Sequence, residues 1–157
     1  MWNPLSIFKS TSENLLSGSD KQMLVQAIQA AEKTTSGEIR VFIESRIPKK
    51  EDALQRATAL FFKNKMHETK DRNGVLVYVA VEDKKLAVYG DQAIHEKVGI
   101  EFWYSQVQEM TGHFKQANYV QGISLVIADI GKALTHHFPY DRVNDINELS
   151  DEIMVGK

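Results

Sequence analysis

The sequence predicts an α/β protein: an αβα sandwich in which a small mixed β-sheet is flanked by helices on both faces. Three observations predict it. Val75 to Val81 is a continuous apolar, largely β-branched run, the pattern of a central strand covered on both sides. Glu82-Asp83-Lys84 then turns the chain, and Lys85 to Tyr89 returns as an antiparallel partner. Upstream, Glu38 to Glu44 alternates as a strand, and a helical segment separates it from the central run. A strand-helix-strand unit closes as a right-handed parallel crossover. The order helix, strand, helix, strand, strand, helix, helix gives layers packed on one sheet.

Each element has its own signal. Residues 1–17 read as a lead-in, with Trp2, Leu5, Ile7 and Phe8 available to dock it. Ser19 with Gln22 three residues on has capping-box spacing and opens the first helix. Leu24, Ala27, Ile28 and Ala31 line one face of that helix, and Gly37 follows its end. In the first strand Ile39, Val41 and Ile43 share a side, and Phe42 is the lone apolar residue opposite them, which predicts a position near a sheet edge. Pro48 suits the first turn of the next helix, whose face is Leu54, Ala57, Leu60 and Phe61. Asp91 caps a short helix ending near Gly99. Trp103, Val107, Met110 and Phe114 trace a helical stripe. The last helix starts at Asn118 and carries Ile123, Ile127, Ile130 and Leu134, with Gly122 and Gly131 permitting close packing. His136 and His137 suit its C-terminal turn, and Pro139 follows. The domain therefore spans 18–139. An acidic tail covers 140–157, with one helical turn expected around Glu148 to Met154.

Bulk properties narrow the function. The chain has 157 residues, with 19 basic and 21 acidic ones, and suits a single domain. No basic stripe appears, so nucleic acid is not an expected partner. The absence of cysteine excludes disulfides, thiol catalysis and cysteine metal sites. Met1 to Ser10 lacks a basic start with a long apolar run, and no segment approaches ~20 apolar residues, so no secretory signal or transmembrane segment is expected. The expected location is cytoplasmic. No serine or threonine sits in a nucleophile elbow, and no phosphate-cradling glycine loop is present.

The chemistry gathers where the hairpin closes. The chain enters the central strand through His67 to Asn73 and leaves its antiparallel partner at Gly90-Asp91. Glu38 opens the parallel strand. This topology brings Glu38, His67, Glu68, Asp71, Asn73, Asp91 and His95 to one sheet rim. Oxygen donors of this kind suit calcium or magnesium. The same residues are also ordinary turn formers and helix caps, and both readings stand at this point.

These residues resemble a known family. Thr35-Ser36-Gly37-Glu38-Ile39 opening a strand, Asp71-Arg72-Asn73-Gly74-Val75-Leu76, the hairpin from Asp83-Lys84-Lys85 to Tyr89-Gly90, and Phe114 through Tyr119 to Gly122-Ile123 are similar in order and spacing to the TPM domain, over residues 15–138. The resemblance implies an αβα sandwich with a mixed sheet. It also implies activity as a metal-dependent or acid phosphatase in some members and divalent-cation binding near the acidic loops in others. Asp71 and Asn73 match the acidic-Asn-Gly motif. Asp91 lies near the family's next acidic position but out of register. Typical members read Gly-Tyr-Gly-Leu-Glu there, and this chain reads Val88-Tyr89-Gly90-Asp91-Gln92-Ala93, a departure that weighs against phosphatase activity. Two functions follow as expectations. The first is cation binding, calcium or magnesium, by Asp71, Asp91, Glu38 and Asn73, with phosphatase-like hydrolysis given acid-base help by His67 or His95. The alternative is a non-catalytic protein-interaction or regulatory module with a protein partner.

Overall fold

The first helix, α1 (Gly18–Glu32), is capped by Ser17 rather than Ser19. Ser17 Oγ accepts the Asp20 amide at 3.1 Å, and the Asp20 carboxylate accepts the Ser17 amide at 3.2 Å. That reciprocal pair satisfies donors that every helix start leaves open. The same device sets α2 (Ala53–Lys63), where Asp52 and Gln55 form the box. Pro48 therefore lies ahead of the helix, in the loop that leads to Asp52. The computed structural model describes residues 16–140 and 153–155. The docking expected of Trp2, Leu5, Ile7 and Phe8 and most of the acidic tail lie outside these residues.

Strands β1 (Glu38–Glu44), β2 (Gly74–Ala80), β3 (Lys85–Gly90) and β4 (Met154–Val155) form one sheet in the order β3-β2-β1-β4. β1 and β2 run parallel from Glu38 opposite Gly74 to Glu44 opposite Ala80. β3 returns antiparallel, with Gly90 opposite Val75. β4 adds in parallel, Met154 opposite Phe42. β1 lies near an edge, as expected: beyond it comes only β4, which pairs with Phe42 and Ile43 alone, while β3 forms the other edge. One expectation is corrected here. Met154, expected in a helical turn, lies in a strand, while residues 148–152 lie outside the described ones.

Side chains alternate across the sheet, as a strand period of two requires. Ile39, Val41, Ile43, Val75, Val77, Val79 and Val88 face the core shared with α1, α4 (Ile100–Lys115) and α5 (Tyr119–His137). Phe42, Leu76, Tyr78, Ala80 and Ala87 face α2 through Ala57, Leu60 and Phe61. β2 is buried along its whole length, as its unbroken apolar run predicts. A short α3 (Gln92–Val98) follows β3, and Gly99, at φ +80°, bends the chain into α4. Gly131 lets α5 approach α1: a Cβ there would lie 2.7 Å from the Ala31 methyl. No helix among the described residues is long and apolar enough to cross a membrane.

Candidate functional site

The strand register brings the polar loops to one rim. Glu38 and Gly74 are partners at the start of the parallel pair, and the Asp91 amide donates to the Gly74 carbonyl at 2.8 Å. Asp71, Asn73, Asp91 and Glu38 thus share the end of the sheet that the sequence assigns to them. Within that end, loop side chains part in alternation. Asp71 and Asn73 turn to β1's approach: Ser36 Oγ donates to Asp71 Oδ2 at 3.4 Å and accepts from Asn73 Nδ2 at 3.2 Å. Arg72, between them, turns to β3's exit.

There Arg72 clamps Asp91. Its Nε lies 2.8 Å from Oδ2 and its Nη2 2.9 Å from Oδ1, a bidentate pair. Oδ1 also accepts the Gln92 amide at 2.7 Å and so caps α3. The Asp91 side chain is 1% exposed and that of Arg72 42%. A carboxylate so buried requires a counter-charge, and the adjacent loop supplies it. The Asp91 hydrogen bond, then its charge, holds the guanidinium above its ordinary value. The loop holds Arg72 in the left-handed region, φ +51°, and Ala93 N donates to its carbonyl at 3.0 Å.

The other expected residues disperse. Glu38 is buried at the head of β1. The His67 ring packs on Phe62 with centroids 5.0 Å apart, on the α2 face. His95 stands on the opposite face, where its Nδ1 accepts the Trp103 indole N–H at 3.0 Å. That bond puts the neutral ring's proton on Nε2. The two imidazoles therefore do not converge on one reacting atom.

A calcium ion takes six to eight oxygens. Both Asp91 oxygens accept from Arg72 and the side chain is 1% exposed, so a cation there would meet the guanidinium charge. Of the four expected ligands, Asp71 is the one exposed carboxylate. Among the described residues no group of three or more histidine or acidic side chains is placed to hold a metal. The donor set as arranged does not fit a resident calcium or magnesium at Asp91.

A larger feature lies beside this clamp. A groove of about 950 Å³ follows the outer side of β3. Leu54 and Phe62 of α2 form one wall, and Ile100, Tyr104 and Val107 of α4 form the other. Four of these side chains are exposed, which is unusual for large apolar groups on facing walls: Leu54, Phe62, Ile100 and Tyr104. Arg72, Asp91 and His95 close one end, while Glu51, Asp52 and Lys85 also line the groove. Tyr89 lines its floor; burial raises its hydroxyl pKa first, and the Asp91 charge raises it further. Sequence reasoning missed this groove, because its walls come from helices whose inward faces dominate the pattern.

Fold and rim together define a three-layer αβα domain with polar loops gathered at one sheet end. The chain belongs to the TPM domain family, whose model matches residues 10–133. It is 42% identical to the BA42 protein of the psychrophilic bacterium Bizionia argentinensis, solved by NMR. That match covers 90% of this chain and 95% of the other, with a TM-score of 0.81. The N-terminal domain of the cg2496 protein from Corynebacterium glutamicum shares the fold at 13% identity, covering 76% of this chain and 74% of that one, with a TM-score of 0.60. Among curated proteins none matches the chain.

Proposed function

We propose that this TPM domain is a binding module that holds a partner protein in the groove beside β3, rather than a metal-dependent hydrolase acting at the rim. The observation that carries the reading is the pairing of apolar groove walls with an acid, Asp91, already consumed by Arg72. Binding sites are concave, mostly apolar and equipped with a few placed polar groups. The groove has that makeup, with Arg72 and His95 as its polar fixtures. Panning a displayed library of random short peptides against the full chain tests it. Selected peptides are expected to lose roughly tenfold or more in affinity on Tyr104→Ser or Leu54→Ser. Both positions are exposed, so stability stays within about 0.5 kcal/mol. Enriched peptides indifferent to both variants sink the reading. So does hydrolysis of p-nitrophenyl phosphate that Asp71→Asn abolishes.

A second reading keeps a divalent cation at the rim, at Asp71 rather than Asp91. It is favoured by the exposed Asp71 carboxylate beside the Ser36 hydroxyl and the Asn73 amide. With one carboxylate, affinity is expected no tighter than about 10⁻⁴ M. A calcium or magnesium titration read by amide shifts is expected to move residues 36 and 71–73, and to lose that response on Asp71→Asn but not on Asp91→Asn. Shifts spread over the whole surface, or none at all, remove this reading.

A further inference from the structure

We infer that the partner enters the groove as an added β-strand, paired to the outer edge of β3, with an acidic group next to Arg72. The inference rests on the binding-module reading and specifies its ligand.

It follows from the hydrogen-bond alternation of the hairpin. Residues of β2 and β3 face each other in the register Val75–Gly90 to Ala80–Lys85. The Asp91 amide donates to Gly74 O, so Asp91–Gly74 is a bonded pair. In an antiparallel ladder, bonded and non-bonded pairs alternate. Tyr89 and Ala87 are thus bonded inward to β2, while Gly90, Val88 and Leu86 point their N–H and C=O groups away from the sheet. β3 ends the strand order, so no described strand receives them. All three outward residues line the groove. Its floor is therefore a row of backbone donors and acceptors at strand spacing, which only an extended backbone can match along its length.

The walls agree with this floor. An added strand sends successive side chains to opposite faces. One set meets Leu54 and Phe62, and the other meets Ile100, Tyr104 and Val107, so the fitting segment is apolar on both sides. Exposed strand edges invite promiscuous pairing, and proteins usually blunt them. Here the edge is recessed between two helices, which admits a single slender strand but hinders a broad sheet. At the rim end, Arg72 spends Nε and Nη2 on Asp91. Its Nη1 is left for a carboxylate of the incoming segment.

Hydrogen exchange on the full chain gives the first test. Amides of Leu86, Val88 and Gly90 are expected to exchange much faster than those of Ala87 and Tyr89. Uniformly slow exchange along β3 overturns the inference. The second test takes the tightest peptide from the library selection and two forms N-methylated at alternate amides, offset by one residue. Strand addition expects one form to lose roughly tenfold or more and the other to bind as before, with the three outward amides becoming protected. Arg72→Gln is expected to weaken a peptide carrying a terminal or side-chain carboxylate more than its amide analogue. If the peptide binding is sensitive to Tyr104→Ser but both N-methyl forms bind alike, strand addition is wrong while the module stands. If the library yields nothing, both fail. If the free chain instead self-associates as its concentration rises, with β3 amides protected in step, the occupant is a second copy and the proposed partner is wrong.

Discussion

Replacing Glu44 by alanine is expected to destabilise the domain by about 3–5 kcal/mol, the largest single effect foreseen away from the apolar core. Glu44 ends β1 on the α2 face with a side chain 3% exposed. Its Oε2 accepts Arg56 Nε at 2.8 Å and the Tyr78 hydroxyl, and its Oε1 accepts Arg56 Nη2 at 3.0 Å. Arg56 also lies over the Phe42 ring, 5.9 Å from its centroid. Removing the carboxylate leaves a half-buried guanidinium and a fully buried hydroxyl without their acceptor. Each then bears its desolvation cost with nothing to offset it. Arg56→Ala should cost a comparable amount, and the double variant much less than the sum, because the two changes break one interaction. Replacing Glu44, Arg56 and Tyr78 together by apolar residues of similar volume should be near neutral. Urea unfolding of the four variants decides the matter. Glu44→Ala within 1 kcal/mol of wild type would show that water reaches the pair.

The same triad carries a pH signature. Burial raises the Tyr78 hydroxyl far above its ordinary value, and the Glu44 hydrogen bond and charge add to that. A folded value above the unfolded one means the contribution is whole below pH ~10 and is lost as pH climbs beyond it. Since burial is the larger cause, the alkaline decline persists in Glu44→Ala with the same initial slope, set by the one proton lost on unfolding, and ends at a lower pH because the folded value is less raised. Wild-type stability that stays flat above pH ~10 would show that the hydroxyl is already solvated.

Much of the architecture is legible in the residues. The run from Val75 to Val81 and the turn at Glu82-Asp83-Lys84 fix the hairpin, and the hairpin fixes which loops meet. What the chain hides is partnership across distance. Glu38 and Glu44 look like solvent-facing residues of an edge strand, yet both are buried, and the partners of Glu44 lie 12 and 34 residues away. The acids of the rim look pooled, yet Arg72 divides them. The signal for that was present: a cation between Asp71 and Asn73 in a loop whose side chains alternate must face the other neighbour. The groove left a fainter trace. Leu54 reads by spacing as part of the α2 face with Ala57, Leu60 and Phe61, yet it is exposed and stands with Phe62 on the groove wall. It lies in the first turn, where the helix starts beyond the cover of the sheet, and nothing local marks that pair as a wall until β3 is known to be the edge.

Gly90 ties packing to that wall. Its side-chain position is filled by the Trp103 indole: a Cβ built there would lie 2.7 Å from Cη2 and closer still to Cζ2. The indole cannot retreat freely. It is 7% exposed, packs edge-on to Phe102 with centroids 5.1 Å apart, and donates to His95 Nδ1. Gly90→Ala is therefore expected to cost about 1–3 kcal/mol through overpacking rather than backbone strain. Combining it with Trp103→Leu, which removes the colliding ring, should cost less than the two single changes added together. Thermal unfolding gives both numbers. A displaced indole would also release His95 Nδ1, so the ring nitrogen shifts of His95 should move in Gly90→Ala and match those of Trp103→Leu. Wild-type stability with unchanged His95 shifts would mean that the ring yields at little cost, and that the α4 wall of the groove is softer than its packing implies.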